Sequence, residues 1–389
     1  MNKQTIIGVV GSGAMGSGIA QVAATQGHQV MVVDKQPEIL ENAKVKLNAV
    51  LNRLVEKGKI SSDEAAEIEG RITWVTNIDE LESCGFVIEA VVEDLNVKQA
   101  IFKQLDVIVA PGAILASNTS SLSITSIAAS CEKPERVIGV HFFNPAPLMP
   151  LVEIIPAVQT DPEVVAETKT LVDSWAKTTV LARDTPGFIV NRIARPFYGE
   201  AIRIYEEGVA EYAAIDHALR TKGGFRMGPF ELMDFIGNDV NYAVTETVFR
   251  EFFYDPRYKP SFTQKRMVEA KRLGRKSGKG YYDYSNGRLV PDVVVDDALS
   301  TSITERVVAM LMNEAIDALF LGVASRDDLD LAMTKGVNYP KGLLRWADEW
   351  GLEKVLDILE KLHHEYGEDR YRPSPLLRRM AANKQTFYP

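Results

Sequence analysis

The stretch "GVVGSGAMGSGIA", residues 8–20, decides the fold. A β-branched run, "TIIGVVG", leads into it, and small helix-compatible residues lead out. Its glycines, Gly11, Gly13 and Gly16, follow the pattern G-x-G-x-x-G. In a strand–loop–helix frame the first glycine permits a tight turn. The second lets the backbone approach a pyrophosphate, and the third lets helix and strand pack closely. The helix start also offers unpaired N–H groups and a positive dipole end to phosphates. The spacing by itself equally describes an ordinary Gly-rich turn. The frame separates the two readings: a second apolar run, "HQVMVVD", ends in Asp34, twenty-three residues after Gly11. A carboxylate there accepts hydrogen bonds from ribose hydroxyls and repels a 2′-phosphate. The expected cofactor is therefore NAD rather than NADP, although Lys35 beside it softens the repulsion.

Outward from this motif, the runs "ITWVTN", "FVIEAVV", "AILASN" and "VIGVHFF" continue the strand pattern. Helical patterns at 37–57 and 96–109 lie between them. "LVEIIP" and "TTVLARD" read as further strands around a helix at 161–177. Apolar strands alternating with helices imply an α/β fold with a Rossmann-type, doubly wound, mostly parallel sheet. After Thr185 the strand pattern ends and "TPGFIVNRIARPFYGEAIRIYEEG" opens a helical region. "GRKSGKGYYDYSNGRLVPD" (274–292) reads as loop or linker, and a second helical block follows from 301. The two blocks form an internal repeat. At an offset of 114, residues 192–237 and 306–351 are identical at twelve of 46 positions without a gap. Glu200-Ala201-Ile202 falls on Glu314-Ala315-Ile316, and Asp216, Gly228, Asp234 and Gly237 fall on Asp330, Gly342, Asp348 and Gly351. The expected organisation is a nucleotide-binding domain (1–184) and two tandem all-helical domains (185–292 and 293–389).

Composition bounds the function. The chain has 389 residues, 46% of them hydrophobic, enough for sizeable cores. A net charge of −9 argues against nucleic acid as the main partner, which needs a basic face, without forbidding an anionic substrate. Two cysteines, Cys84 and Cys131, have no metal-type spacing and fit a reducing cytoplasm. No run approaches the ~18 apolar residues of a transmembrane helix, so membrane insertion is not expected. The N-terminal apolar run is too short for a signal-peptide core.

One of the five histidines, His141, ends the strand-like run "VIGVHFF". Histidine titrates near neutral pH and suits a general base, given a partner that fixes its tautomer. Twelve residues on, "LVEII" carries a lone carboxylate, Glu153, among apolar residues. Such acids are rarely buried unpaired. A turn through "NPAPLMP" can return the second run beside the first. A lone histidine on a strand is often a satisfied structural residue, and Glu153 is what weighs against that reading here. "ASNTSSLSIT" (116–125) is a hydroxyl-rich loop after the fifth strand, where open α/β sheets bind ligands. Ser and Thr are equally good helix caps. "PGFIVNR" (186–192) is, on its own, only a helix start.

Taken in order, "GSGAMGSGIA", "SNTSSLSIT", "GVHFFNPAPLMPLVEII", "DTPGFIVNR", "MGPFELMDFIG" and "GRKSGKGYYDY" resemble the L-3-hydroxyacyl-CoA dehydrogenase family over nearly the whole chain. The resemblance implies NAD-dependent oxidation of the 3-hydroxyl of an acyl-CoA, of the 3-hydroxybutyryl or a dicarboxylic type. It implies His141 as base, Glu153 as its partner, Ser120 near the substrate oxygen and Asn191 positioning the thioester. Gly11, Gly13, Ala14, Met15, Gly16, Asp34, Glu93, Lys98, Asn144 and Lys276 align with cofactor- or substrate-contacting positions. Lys57 or Lys59 is the candidate contact for CoA, beside Ser120. The chain departs from the shortest members, which carry one helical domain and dimerise through it. Here Asn191 falls on Glu305 of the second copy, which implies a structural copy forming an internal pseudo-dimer, with a monomer expected and a homodimer left open. Two rivals are a dehydrogenase of a free hydroxy or sugar acid and a non-catalytic NAD-binding structural protein. The latter would not need His141, Glu153, Ser120 and Asn191 together.

Overall fold

Branched side chains pack well on a pleated sheet covered on both faces, so the short Val- and Ile-rich runs become strands. The computed structural model describes residues 1, 4–287, 291 and 293–389. Eight runs form one sheet: β1 (Ile7–Val10), β2 (Val30–Val33), β3 (Ile72–Val75), β4 (Phe86–Glu89), β5 (Ile114–Ser117), β6 (Val137–Phe142), β7 (Leu151–Pro156) and β8 (Thr178–Leu181). Their order is β3-β2-β1-β4-β5-β6-β7-β8. Neighbours are parallel except β6 and β7, which run antiparallel. That reversal sets His141 directly opposite Glu153.

The helices α1 (Ala14–Thr25), α2 (Pro37–Glu56), α3 (Ser62–Gly70), α4 (Leu95–Ile108), α5 (Ile124–Ala128) and α6 (Pro162–Ser174) accompany the sheet. Val9, Val32, Phe86, Ile88 and Trp175 are in the core of this unit, Met1–Thr185. Helix α3 is absent from the sequence reading, although Ser61 and Glu64 form a capping box at its start.

Residues Pro186–Pro389 form a second compact unit. It contains α7 (Val190–Ile193), α8 (Arg195–Glu206), α9 (Tyr212–Thr221), α10 (Pro229–Ile236), α11 (Asn238–Glu251) and α12 (Phe262–Glu269). There follow α13 (Asp297–Phe320), α14 (Arg326–Gly336), α15 (Leu343–Trp350), α16 (Leu352–Tyr366) and α17 (Pro375–Ala382). No strand occurs among its described residues. The expected boundary at Asp292 lies outside the described residues. Helix α13 is buried over most of its length against α8 and α9.

The repeat organises the ion pairs of this unit. Arg192 Nε lies 2.6 Å from Glu314, and Arg306 Nε lies 3.0 Å from Glu200. These four residues are two equivalent pairs, each crossing to the other half. Tyr258 donates to Glu314 and Tyr371 to Glu200, extending the correspondence to "DPRYKPS" (255–261) and "EDRYRPS" (368–374). Asp216 accepts from the N–H groups of Phe230 and Glu231 at the start of α10. Asp330 does the same for Leu344 and Arg345 at the start of α15. Asp234 holds the N–H groups of Tyr281 and Tyr282, as Asp348 holds those of Phe387 and Tyr388. The segment 274–284 is thus no linker. Tyr282 is buried and donates to Asp216, so its glycines serve a packed clamp.

Candidate active site

β6 and β7 carry the central pair. His141 Nδ1 is 2.7 Å from Glu153 Oε2, with Glu153 fully buried and His141 nearly so. An ionised carboxylate accepts a hydrogen bond, so this geometry suits a ring that carries its proton on Nδ1. Phe143 packs on the imidazole at 4.5 Å between ring centres. A neutral ring held this way can take one proton, and the carboxylate then stabilises the imidazolium.

The hydroxyl-rich loop follows β5. Asn118 Oδ1 accepts from Phe142 N at 2.8 Å, tying the loop to β6. Glu93 gathers the loop, accepting from Thr119 Oγ1 at 2.7 Å, Ser120 N at 2.8 Å, Ser120 Oγ at 3.1 Å and Ser121 Oγ at 3.2 Å. Burial raises the Glu93 carboxyl, but the Lys98 charge and the Thr119 and Ser120 donors outweigh it and hold Glu93 below the ordinary carboxylate range. Lys98, buried on α4, sits 3.3 Å from Glu93 and 2.6 Å from Glu89. Glu89, fully buried at the end of β4, also accepts from Ser117 Oγ and Val91 N, each at 2.7 Å. Sequence reasoning missed Glu89, although "FVIEAVV" carries the same signal as "LVEII": one acid in an apolar strand.

The glycine loop has the geometry a dinucleotide needs. Gly11 has φ +98°, and a Cβ there would lie 2.8 Å from Ala90 O. A Cβ on Gly16 would come within 1.8 Å of Gly11 O, so only glycine permits this approach of α1 to the loop. A Cβ on Gly13 would project into open space, the side from which a pyrophosphate can reach the backbone. Asp34 Oδ2 accepts from Ser12 N at 3.1 Å and Ser12 Oγ at 2.9 Å, and Oδ1 accepts from Gln36 N at 3.3 Å. These bonds hold the half-buried acid at the loop's mouth with lone pairs to spare for ribose hydroxyls. Ala14 and Met15 open α1, and Met15 packs on the core.

A cavity of about 750 Å³ lies beside the loop within the same unit. Gly13, Ala14 and Asn144 border it, Leu47, Val50 and Leu148 make its wall apolar, and Lys46, Arg53 and Lys57 supply cations from α2 and its C-terminal cap. Of the two lysines expected to meet CoA, Lys57 lines the cavity and Lys59 does not. Asn191, on α7, and Lys276, paired to Asp239 at 2.6 Å, belong to the helical unit.

Residues 6–185 match the model of the 3-hydroxyacyl-CoA dehydrogenase NAD binding domain, and 187–284 with 303–386 match that of the C-terminal domain. The chain is 41% identical to a 3-hydroxyadipyl-CoA dehydrogenase of Escherichia coli, covering 98% of each. It is 44% identical to a probable 3-hydroxybutyryl-CoA dehydrogenase of Deinococcus radiodurans over 71% of this chain and 99% of that one. A crystal structure of 3-hydroxybutyryl-CoA dehydrogenase from E. coli K12 superposes with a TM-score of 0.93, at 40% identity, over 98% of this chain and 99% of that one.

Proposed function

From the premise that the chain belongs to the 3-hydroxyacyl-CoA dehydrogenase family, we propose that His141 is the general base of the reaction. The chain is an NAD-dependent enzyme that oxidises L-3-hydroxyacyl-CoA to 3-oxoacyl-CoA. The observation that carries the assignment is the 2.7 Å bond from buried His141 to buried Glu153. Bound NAD supplies the acceptor for the hydride leaving C3. His141 Nε2 takes the hydroxyl proton as the C3–O bond becomes a carbonyl. Glu153 keeps the ring in the accepting tautomer and offsets the positive charge that forms on it. Ser120 and Asn191 hold the substrate oxygen and thioester in this reading, and Glu93, Lys98, Asn144 and Lys276 frame the nicotinamide and substrate.

Gly11, Gly13, Ala14, Met15 and Gly16 hold the pyrophosphate, and Asp34 holds the adenosine ribose. We assign the cavity along α2 to CoA, its apolar wall meeting the pantetheine and Lys46, Arg53 and Lys57 meeting phosphate. Relatives are named for a neutral butyryl and for a carboxylate-ended adipyl chain, and both are candidates here. The crossed Arg192–Glu314 and Arg306–Glu200 pairs support reading 185–292 and 293–389 as an internal pseudo-dimer with one active site per chain. A reducing, cytoplasmic setting fits the two unpaired cysteines.

The test is a panel of 3-oxoacyl-CoA thioesters assayed with NADH on the wild type and on His141→Gln. Removing a general base costs ~10²–10⁴-fold. The variant should lose that much turnover on every thioester while binding NADH nearly as well. Activity within a few-fold of wild type would remove His141 from the mechanism.

A further inference from the structure

Of the five arginines buried among the described residues, four face a carboxylate. Arg136 has Asp106, Arg192 has Glu314, and Arg306 and Arg370 share Glu200. Arg195 has none. It is 7% exposed; its Nε donates to Asn191 O at 2.8 Å, its Nη1 to Thr245 Oγ1 at 3.1 Å, and its Cζ stands 5.0 Å from the Tyr198 ring centre. Nη2 makes no hydrogen bond to a described residue. A guanidinium stays charged in a protein, and a buried charge without a counter-ion is costly. Nearby polar groups continue the cluster. Gln264 Nε2 reaches Asn241 Oδ1 at 2.8 Å, and both residues are buried. The Tyr339 hydroxyl is buried and has no partner among the described residues, and Phe197 packs on both Tyr198 and Tyr339.

The repeat serves as an internal control. The residues that build the helical fold recur in both halves, Arg192 as Arg306, Glu200 as Glu314 and Asp216 as Asp330. The cluster does not recur. At the offset of 114 Arg195 becomes Ala309, Asn241 Val355 and Thr245 Leu359, and at the offset of 113 that aligns 255–261 with 368–374 Gln264 becomes Leu377, all buried and apolar. The same scaffold is therefore filled without a charge, and the half that keeps Arg195 is the half that keeps Asn191.

We propose that Arg195 is a specificity residue that accepts the terminal carboxylate of a dicarboxylic 3-hydroxyacyl chain. This rests on the reading of Asn191 as the residue that positions the thioester. The phosphates of CoA and NAD are assigned above to basic side chains and backbone of the first unit. The anion that an acyl chain itself can bring is a carboxylate at its far end. A planar carboxylate suits the Nη2 edge of a guanidinium, and the Tyr339 hydroxyl supplies a second donor.

The experiment compares kcat/KM for two six-carbon 3-oxoacyl-CoA probes with NADH, one ending in a carboxylate and one in a methyl group. A site with a buried group built for a substrate anion discriminates strongly against an analogue lacking it. The wild type should favour the carboxylate by about 10²-fold or more, from one lost charge-assisted interaction. In Arg195→Leu that ratio should fall to near one. In Arg195→Lys, which keeps the charge but not the planar fork, it should fall part of the way, about tenfold; this variant decides if Arg195→Leu does not fold. A wild-type ratio near one, or a ratio unchanged in the folded variants because both probes slow together, overturns the proposal and makes Arg195 structural. Failure of the wild type on both probes would instead count against the dehydrogenase assignment itself.

Discussion

At the scale of single residues, the proposed mechanism depends on one buried pair. Glu153 is fully buried, so its carboxylate has no water to turn to, and His141 Nδ1 meets it at 2.7 Å. Replacing Glu153 by Gln keeps an acceptor oxygen and hence the tautomer, but removes the charge that steadies the imidazolium. Turnover of Glu153→Gln should fall at least tenfold with little change in NADH affinity, and Glu153→Ala should fall further because the ring also loses its orientation. Equal rates for wild type and both variants would sink the pairing. The cysteines give a second residue-scale outcome. Burial pushes the Cys84 thiol up to about 12 and that of Cys131 up to about 11, the latter helped by Asp106. The thiolate is the reactive form, so at pH 8 both should label slowly with a thiol reagent in the native protein and rapidly once unfolded. Fast native labelling of Cys84 would contradict its burial.

At the scale of elements, strand ends carry the proposed site residues, Asp34 just after β2 and His141 near the end of β6. Asp34 is fixed by Ser12 at the mouth of the glycine loop, so its role in cofactor choice can be tested without disturbing the sheet. Asp34→Ala should lower kcat/KM for NAD and narrow its advantage over NADP, since the ribose acceptors and the charge facing a 2′-phosphate go together. A wild type that already prefers NADP would end this reading. Much of this was legible in the sequence. All eight strands were marked by short branched runs between glycines and polar turns, and α2 and α4 lie within a residue or so of the expected spans. The His141–Glu153 pair was legible because an acid in an apolar run demands a partner. Glu89 sits in the same kind of run, but no histidine lies near it in sequence to suggest a reaction. Two things could not be read locally. The segment 274–284 looks like a linker because glycine spacing carries no sign of Asp234 and Asp216, the acids that capture it from forty or more residues away. Arg195 reads as an ordinary helical arginine, and only three-dimensional packing reveals that no carboxylate of a described residue faces it.

At the scale of the whole molecule, the duplicated helices pose the question of what a second copy is for. A single copy would leave uncovered the faces of α8 and α9 against which α13 packs. In this chain α13 packs on them, with Val307, Val308, Leu311, Met312 and Ile316 among its buried side chains, and the crossed arginine–glutamate pairs fix the register. Breaking one such pair is expensive, about 3–5 kcal/mol, because it strands a buried charge. Glu314→Ala should therefore lower the melting temperature, since Arg192 loses its 2.6 Å partner and keeps only Asp317 at 3.2 Å, while the buried Tyr258 hydroxyl loses its acceptor. A tethered copy also has a high effective concentration, so internal pairing outcompetes association between chains. The full chain should then run as a monomer in light scattering, with one NADH site per chain. Removing residues 293–389 strips α13 and leaves Arg192 without Glu314 and an apolar face without cover. Exposed patches of that kind seek partners, so the truncated protein should dimerise or aggregate. A truncated form that stays a soluble, stable monomer, or a full-length dimer held through α8 of each chain, would overturn the internal pairing, because either result requires the α8 face to be satisfied by something other than α13.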